Sequence, residues 1–158
     1  MKVISNIVQV VIFSFFPEEN QYKILLMKRA PNEDVYPNLW QICTGTSEEG
    51  ETALQTALRE LREEAGITDY LNLWSVPKVP SYYSIRQDAV CFSPVFAIEI
   101  ENNTDIILSH EHSDFGWYTF DEAEKNTFVP SYHESIDFVK RYIIDNEMNH
   151  IFMIKGKK

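Results

Sequence analysis

The stretch "GTSEEGETALQTALRELREEAGI", residues 45–67, gathers many carboxylates on one short amphipathic segment. Glu51 to Ala65 is predicted to form a helix, which Gly66 ends in a left-handed cap. At about 100° per residue, this helix presents two stripes, one apolar and one acidic. The apolar stripe is predicted to face the core and consists of Leu54, Ala57, Leu58, Leu61 and Ala65. The acidic stripe lies beside it and consists of Glu60, Glu63 and Glu64.

The acidic stripe needs compensation, because like charges three or four positions apart on a helix repel one another. One interpretation is a solvated surface with ion pairs such as Arg59–Glu63. The other is a site for a hard divalent cation such as Mg²⁺, which prefers oxygen ligands. The helix alone leaves both interpretations open.

Composition limits the classes of protein to consider. The 158 residues predict a single domain, 1–158, with 44% apolar residues to build its core. A net charge of -10 argues against general binding to nucleic acid, which requires basic patches against phosphates. It does not exclude a phosphorylated small molecule whose charge a metal offsets.

The chain is predicted to be cytoplasmic and not to enter a membrane. The N-terminal run "MKVISNIVQVVIFSFF" is interrupted by Ser5, Asn6 and Gln9, so it indicates a strand rather than a signal peptide. No stretch reaches the roughly 18 to 20 apolar residues of a membrane span. Cys43 and Cys91 are far apart and lack metal-binding spacing, so both are predicted to be reduced core thiols.

The remaining elements alternate strands with two helices. A loop rich in proline and asparagine is expected over 30–39, and Ser131 with Glu134 forms a capping-box pattern at the second helix. The order β-β-β-α-β-β-β-α predicts a sheet with helices packed on it. The second helix is predicted over 131–147, with Ile136, Val139 and Ile143 as its buried stripe. The predicted strands are 8–16, 21–29, 40–46, 71–84 (broken by Pro77 and Pro80), 89–100 (with Pro94 at a bulge) and 114–120.

The quoted stretch resembles the signature of the Nudix hydrolases, G-x5-E-x7-R-E-U-x-E-E-x-G-U, in which U is aliphatic. Every fixed position of that signature is matched between Gly45 and Ile67. The resemblance implies an α/β/α sandwich with a mixed β-sheet between helices. It also implies hydrolysis of a nucleoside diphosphate linked to another group, by attack of water on phosphorus.

The same resemblance implies roles for the residues of the signature. Mg²⁺, or Mn²⁺ in its place, would be held by Glu60, Glu63 and Glu64. Arg59 and Glu51 would orient these carboxylates. Gly45 and Gly66 would provide turns that a side chain would hinder.

Two further stretches are similar to parts of the dihydroneopterin triphosphate pyrophosphatases, which also act on deoxynucleoside triphosphates. They are "LWQICTGTSEEGET" (39–52) and "HEHSDFGWYTFDEA" (110–123). This similarity makes Glu111 a further metal ligand or the base for water. One of Glu60, Glu64 and Glu111 is expected to be that base, and the sequence does not choose among them.

The similarity also nominates substrate contacts, each with a structural alternative. Lys28 and Arg29 end a strand where phosphates would be bound, or they are ordinary surface charges. Arg86 and His112 are further candidates for a phosphate. Trp40 and Gln41 are candidates for a pterin or base, by stacking and hydrogen bonding, although a buried tryptophan is an equal alternative.

The expected substrate is therefore a nucleoside or pteridine triphosphate, cleaved to a monophosphate and pyrophosphate. Hydrolysis of ADP-ribose or dinucleoside polyphosphates is the alternative, although the proline and tyrosine that mark those subclasses are absent from the matching positions after the signature. A non-catalytic nucleotide-binding module is the alternative from another class. Many family members pair as dimers, so a homodimer is compatible with the resemblance.

Overall fold

The computed structural model describes residues 1–154. Its helices are α1 (Ala53–Ala65), α2 (Phe120–Asn126) and α3 (Pro130–Val139), with a π-helical turn at Lys140–Ile144 and a 3₁₀ turn at Asn149–Phe152. The strands are β1 (Lys2–Ile4), β2 (Ile7–Phe16), β3 (Gln21–Arg29), β4 (Trp40–Gln41), β5 (Cys43–Thr46), β6 (Asn72–Ser75), β7 (Ser81–Ser84), β8 (Ala89–Phe92), β9 (Val95–Glu99) and β10 (His112–Tyr118).

The central sheet is mixed and is covered on both faces. Its strand order is β10-β3-β2-β9-β6, with β4 on β3 and β5 on β2, and only the β2–β9 pair is parallel. Alternate residues of β2 point to opposite faces: Val10 and Ile12 pack with α1, and Val11 and Phe13 pack with α2 and α3. The predicted α/β/α sandwich is confirmed.

A smaller sheet of order β1-β8-β7 stands beside the central one. The predicted strand 71–84 is thus two strands in different sheets, separated at Pro77 and Pro80. The predicted strand 89–100 is likewise divided. Pro94 follows β8 and precedes β9, so it separates two sheets rather than forming a bulge within one strand.

Helix α1 begins two residues later than predicted. Thr52 is its N-cap and forms a capping box with Gln55, while Gly66 ends it with φ of 69°. The prediction of the left-handed cap is confirmed. The later start leaves Glu51 outside the helix, where its side chain can reach Arg59.

The second predicted helix differs at both ends. Pro130 opens α3 and Val129 gives no side-chain cap, so the predicted capping box at Ser131 and Glu134 is wrong. The Ser131 hydroxyl instead accepts a hydrogen bond from Gln9. The α-helix ends at Val139 and becomes a π-helical turn. Its predicted buried stripe is confirmed: Ile136, Val139 and Ile143 are each 1% exposed or less.

Helix α2 was not predicted, although Thr119 and Glu122 carry the capping-box pattern that opens it.

Cys43 and Cys91 are free and buried, as predicted. No helix among residues 1–154 is long and apolar enough to cross a membrane. The C-terminal "GKK", predicted to fray, lies outside the described residues.

Candidate active site

Gly45 allows Glu60 to lie directly against the sheet. It is in strand β5, paired with Val8, so the predicted turn at this glycine is wrong. A Cβ atom built on Gly45 would overlap the carboxyl group of Glu60. Glycine is therefore needed for the close approach of a side chain, not for a turn.

Arg59 is the centre of an ion-pair network. Its Nε donates to Glu51 at 2.8 Å, and its Nη1 donates to Glu60 at 2.6 Å and to Glu63 at 3.1 Å. Its Nη2 donates to the carbonyl of Thr46 at 2.9 Å. The hydrogen bond from Arg59 and one from the Glu48 backbone hold the pKa of Glu51 at about 2. Arg59 thus links the loop before α1 to two of the clustered glutamates.

Glu64 is a buried carboxylate with an unpaired oxygen. Its side chain lies on the inner face of α1, the residue is 5% exposed, and Oε2 has no hydrogen-bond partner among the described residues. Burial raises its pKa to about 8; the Cys43 thiol and Thr44 backbone oppose this by hydrogen bonding, whereas Glu60 and Glu111 add to it. Because a buried polar atom without a partner costs free energy, a cation at Oε2 would stabilise the charged form of Glu64.

Glu111 faces the same place from another part of the chain. The segment before β10 lies along the end of α1, with Ile107 N donating to Ala65 O at 2.9 Å and Ser109 N to Glu64 O at 3.2 Å. Glu111 is close enough to contribute to the raised pKa of both Glu60 and Glu64. The pKa of Glu60 is raised mainly by burial, and Arg59 opposes this shift. Glu60, Glu64 and Glu111 therefore lie within electrostatic range of one another.

This donor set fits a hard divalent cation. The ligands are carboxylate oxygens, as Mg²⁺ and Mn²⁺ prefer, and Glu64 supplies an unpaired oxygen. Within residues 1–154, however, no three His, Cys, Asp or Glu side chains already stand in a coordinating arrangement. Glu60 and Glu63 are directed to Arg59, and the Glu63 side chain is 54% exposed. Each of these two carboxylates accepts from Arg59 through one oxygen, so its other oxygen is left for a metal ion.

The basic candidates lie in different surroundings. Arg29 donates from Nη2 to Glu33 at 2.8 Å and from Nε to the Val35 carbonyl at 2.6 Å, so it anchors the loop 30–39. Lys28 precedes it at the end of β3 and is half-buried. Arg86 lies in the exposed turn between β7 and β8; within residues 1–154, no hydrogen bond or ion pair joins it to the glutamates.

Gln41 and His112 form a buried pair. Gln41 Nε2 lies 3.0 Å from His112 Nε2, and each residue is at least 95% buried. Burial, and secondarily the charge of Arg29, lowers the pKa of His112 to about 4, so its ring is neutral near pH 7. Trp40 is half-buried and packs edge-on against Tyr118, with ring centroids 5.5 Å apart.

The sequence reasoning missed the tyrosines around this centre. Burial raises the pKa of Tyr132 on α3 to about 12. A hydrogen bond with the Thr44 side chain and the charge of Arg29 lower this pKa, whereas Tyr36 and Glu64 raise it. Tyr132 therefore lies within electrostatic range of Glu64. No motif marks it, because the contact depends on how α3 packs across the sheet.

Comparison with known proteins identifies the family. A model of the NUDIX domain matches residues 6–142 of this chain. The chain belongs to the Nudix family. With its signature intact, it is a Nudix hydrolase.

Among curated proteins, this Nudix hydrolase is similar to a nucleoside triphosphatase, NudI, of Salmonella arizonae. The two are 30% identical over 105 residues, which cover 63% of this chain and 74% of the relative. It is also 29% identical over 101 residues to an octanoyltransferase of Myxococcus xanthus, covering 60% of this chain. The match spans only 26% of that relative's length.

Solved structures share the fold at lower identity. The Ap4A hydrolase of C. elegans, in a binary complex, superposes with a TM-score of 0.73 at 21% identity, covering 91% of this chain and 100% of the other. The dihydroneopterin triphosphate pyrophosphohydrolase of E. coli gives a TM-score of 0.68 at 23% identity, covering 89% and 95%. These two likenesses confirm the Nudix fold.

Proposed function

We propose that this Nudix hydrolase is a Mg²⁺-dependent pyrophosphohydrolase that cleaves a nucleoside or pteridine triphosphate to the monophosphate and pyrophosphate. The observation that carries the proposal is the buried Glu64 carboxylate, with an unpaired oxygen and with Glu60 and Glu111 close by. The similarity to a protein named a nucleoside triphosphatase supports the substrate class. Mn²⁺ is proposed as a substitute for Mg²⁺.

In this proposal, Glu60, Glu63, Glu64 and Glu111 hold the metal. When bound, the metal neutralises charge on phosphate oxygens and makes a bound water more acidic. Arg59 keeps the carboxylates on one face through its contacts with Glu60 and Glu63.

Water adds to a phosphorus atom, the bridging P–O bond breaks, and a carboxylate accepts the proton of the water. Glu60, Glu64 and Glu111 are the candidates for this base. The products are a monophosphate and pyrophosphate, so no oxidant or second substrate is required.

Substrate contacts are proposed for the residues that the sequence nominated. Lys28, Arg29 and Arg86 would bind phosphates as cations. His112 would position a phosphate as a neutral hydrogen-bonding group, given its lowered pKa. Trp40 and Gln41 would contact the ring, but Gln41 would first have to exchange its bond to His112 for one to the substrate.

A substrate panel with Mg²⁺ tests the proposal. It contains the eight common ribo- and deoxyribonucleoside triphosphates, dihydroneopterin triphosphate, ADP-ribose and diadenosine polyphosphates, with products identified by chromatography. Pyrophosphate and a monophosphate from a triphosphate are expected. Turnover of ADP-ribose alone would overturn the substrate class but retain the hydrolase chemistry.

Two alternatives correspond to other outcomes of the panel. Hydrolysis of dinucleoside polyphosphates is the second candidate, because the fold of an Ap4A hydrolase superposes over 91% of this chain. Nucleotide binding without turnover would indicate a non-catalytic module.

A cytoplasmic location is supported by two free, buried cysteines. A homodimer is to be tested by light scattering.

A further inference from the structure

The turn that carries Glu111 is held at its first residue by helix α1. Residues 109–112 form this turn, in which the amide of His112 donates to the carbonyl of Ser109 at 3.2 Å. The amide of Ser109 donates to the backbone carbonyl of Glu64 at 3.2 Å, and its hydroxyl accepts from the amide of Glu111 at 3.3 Å. The turn is therefore bonded to the same residue of α1 whose carboxylate is buried.

The last residue of the turn, His112, is held by the central sheet. It opens β10 opposite Arg29, and the register of the β10–β3 pair shifts between His112 and Asp114. An irregularity of this kind directs a side chain to the other face of a sheet. His112 therefore shares the face of Met27, which lies two residues before Arg29 on β3. Since Met27 packs with residues of α1, this is the face that α1 covers.

Gln41 holds the ring of His112 from the other side of β3. Gln41 pairs with Met27 from strand β4, whereas His112 pairs with β3 from strand β10. The two Nε2 atoms are 3.0 Å apart, and the exposed fractions of Gln41 and His112 are 3% and 5%. Breaking this bond would leave a buried polar atom on each side chain without a partner, which costs free energy. The bond therefore keeps the ring, and with it the end of the turn, in one position.

We propose that His112 is a positioning residue for Glu111: held by Gln41, its ring fixes the turn so that the Glu111 carboxylate stays directed to the proposed metal site on α1. The inference rests on the proposed function, and it adds how the one proposed metal ligand outside α1 is kept in place. The other three share a rigid helix, whereas Glu111 lies on a turn and needs support from its neighbours. This role acts through Nε2 of His112 and requires no contact with substrate.

Two substitutions of His112 distinguish its two ring nitrogens. Nδ1 has no hydrogen-bond partner among residues 1–154, so Nε2 carries the contact with Gln41. The side chain of His112→Gln is long enough to place an amide group where Nε2 lies, and it keeps the bond to Gln41. The shorter side chain of His112→Asn places its amide group at the position of Nδ1 and loses that bond. The two variants therefore differ in the contact that the proposal requires.

The test is a titration of the whole protein with Mn²⁺ alone, without substrate, in which free Mn²⁺ is measured by electron paramagnetic resonance. Each substitution is made in the wild type and in Glu111→Gln, which lacks the charged ligand that His112 is proposed to position. His112→Asn is expected to weaken Mn²⁺ binding about tenfold, as the loss of a supporting contact does, and to have no further effect in the Glu111→Gln background. His112→Gln should keep the wild-type affinity for Mn²⁺.

Gln41→Met removes the same bond from the other partner and should reproduce His112→Asn in both backgrounds; it carries the test if thermal unfolding shows that His112→Asn is not folded. Wild-type affinity in His112→Asn, a loss that persists in the Glu111→Gln background, or an equal loss in His112→Gln would overturn the positioning role. Turnover of a triphosphate by the wild type would then still support the proposed function. If the wild type binds no Mn²⁺, both the metal dependence and the positioning role are wrong.

Discussion

At the scale of single residues, the site depends on the absence of a side chain as much as on the presence of carboxylates. Gly45 leaves the space that the Glu60 carboxyl group occupies. Arg59 occupies the space between Glu51 and Glu60 and balances part of the local charge. One guanidinium therefore offsets part of the charge of two clustered carboxylates, Glu60 and Glu63, and among the described residues Oε2 of Glu64 is left without a partner.

Gly45→Ala should damage activity more than stability. The added methyl group meets the flexible end of Glu60, which can turn away at small cost to the fold, but the carboxylate then leaves the metal site. A roughly tenfold to hundredfold loss of kcat is expected from such a misplacement, with a small change in Tm. Steady-state kinetics and thermal unfolding measure the two effects.

Gly116→Ala is the control for this prediction. It also crowds a side chain, since its Cβ would lie 2.9 Å from the ring of Tyr118, but Tyr118 is not among the clustered carboxylates. It should retain kcat even if its Tm falls. Equal losses of kcat in both variants would show that Gly45 has no specific relation to Glu60.

At the scale of elements, α1 is held to the loop before it by a charged contact. Glu51 accepts from Arg59 through both carboxylate oxygens, at 2.8 and 3.1 Å, and from Thr56 and the Glu48 amide. These interactions stabilise the charged form of Glu51. Its pKa in the folded protein is about 2 against an ordinary 4.5, mainly because of Arg59.

The contact should make stability depend on pH in one direction. Because the pKa of Glu51 is lowered by folding, its contribution is complete above about pH 4.5 and is lost as the pH falls towards 2. Glu51→Gln should therefore lower the Tm at pH 7, and the difference from wild type should be smaller at pH 3. If the difference in Tm between wild type and Glu51→Gln stays constant or grows at pH 3, the account is contradicted. Glu48→Gln is the control, because the side chain of Glu48 is 71% exposed.

The elements also show what the sequence could predict. The period of α1 and its glycine cap follow from local rules, so the helix was predictable. Its buried face was predicted in part: Ala57, Leu61 and Ala65 are buried as expected, but Leu54 and Leu58 are only partly buried. Thr56 and Glu64 are buried as well, although neither belongs to the predicted apolar stripe. The division of 89–100 into two sheets was not, because Pro94 marks an interruption without showing which strand each half pairs with. The Ser131 pattern failed because its hydroxyl pairs with Gln9, more than a hundred residues away.

The same limit applies to the site. Glu60, Glu63 and Glu64 share one helix face, so their proximity follows from helical spacing alone. Glu111 was found through family resemblance, and its approach to α1 depends on backbone contacts of Ile107 and Ser109.

At the scale of the whole molecule, a net charge of -10 attracts any cation weakly to the surface. The effect of Mg²⁺ bound at one site must therefore be distinguished from the general screening of charge by salt. Mg²⁺ should raise the Tm beyond the effect of NaCl at equal ionic strength, because it binds the folded cluster and not the unfolded chain. At ten times its Kd, a shift of a few degrees is expected for a protein of this size.

The matched variant for this measurement removes two carboxylates. Glu60→Gln with Glu64→Gln should abolish the Mg²⁺-specific shift in differential scanning calorimetry and retain the general effect of salt. A specific shift that persists in the double variant would place the cation elsewhere on the protein.

The central claim is that the buried carboxylate of Glu64 serves hydrolysis of a triphosphate. It is tested most directly by comparing wild type and Glu64→Gln with Mg²⁺ and the best triphosphate of the panel, with products identified by ³¹P NMR. The account predicts a monophosphate and pyrophosphate from wild type, and a loss of at least about a hundredfold in kcat for the folded variant. Near-normal turnover by Glu64→Gln, or release of phosphate in place of pyrophosphate by the wild type, would contradict it.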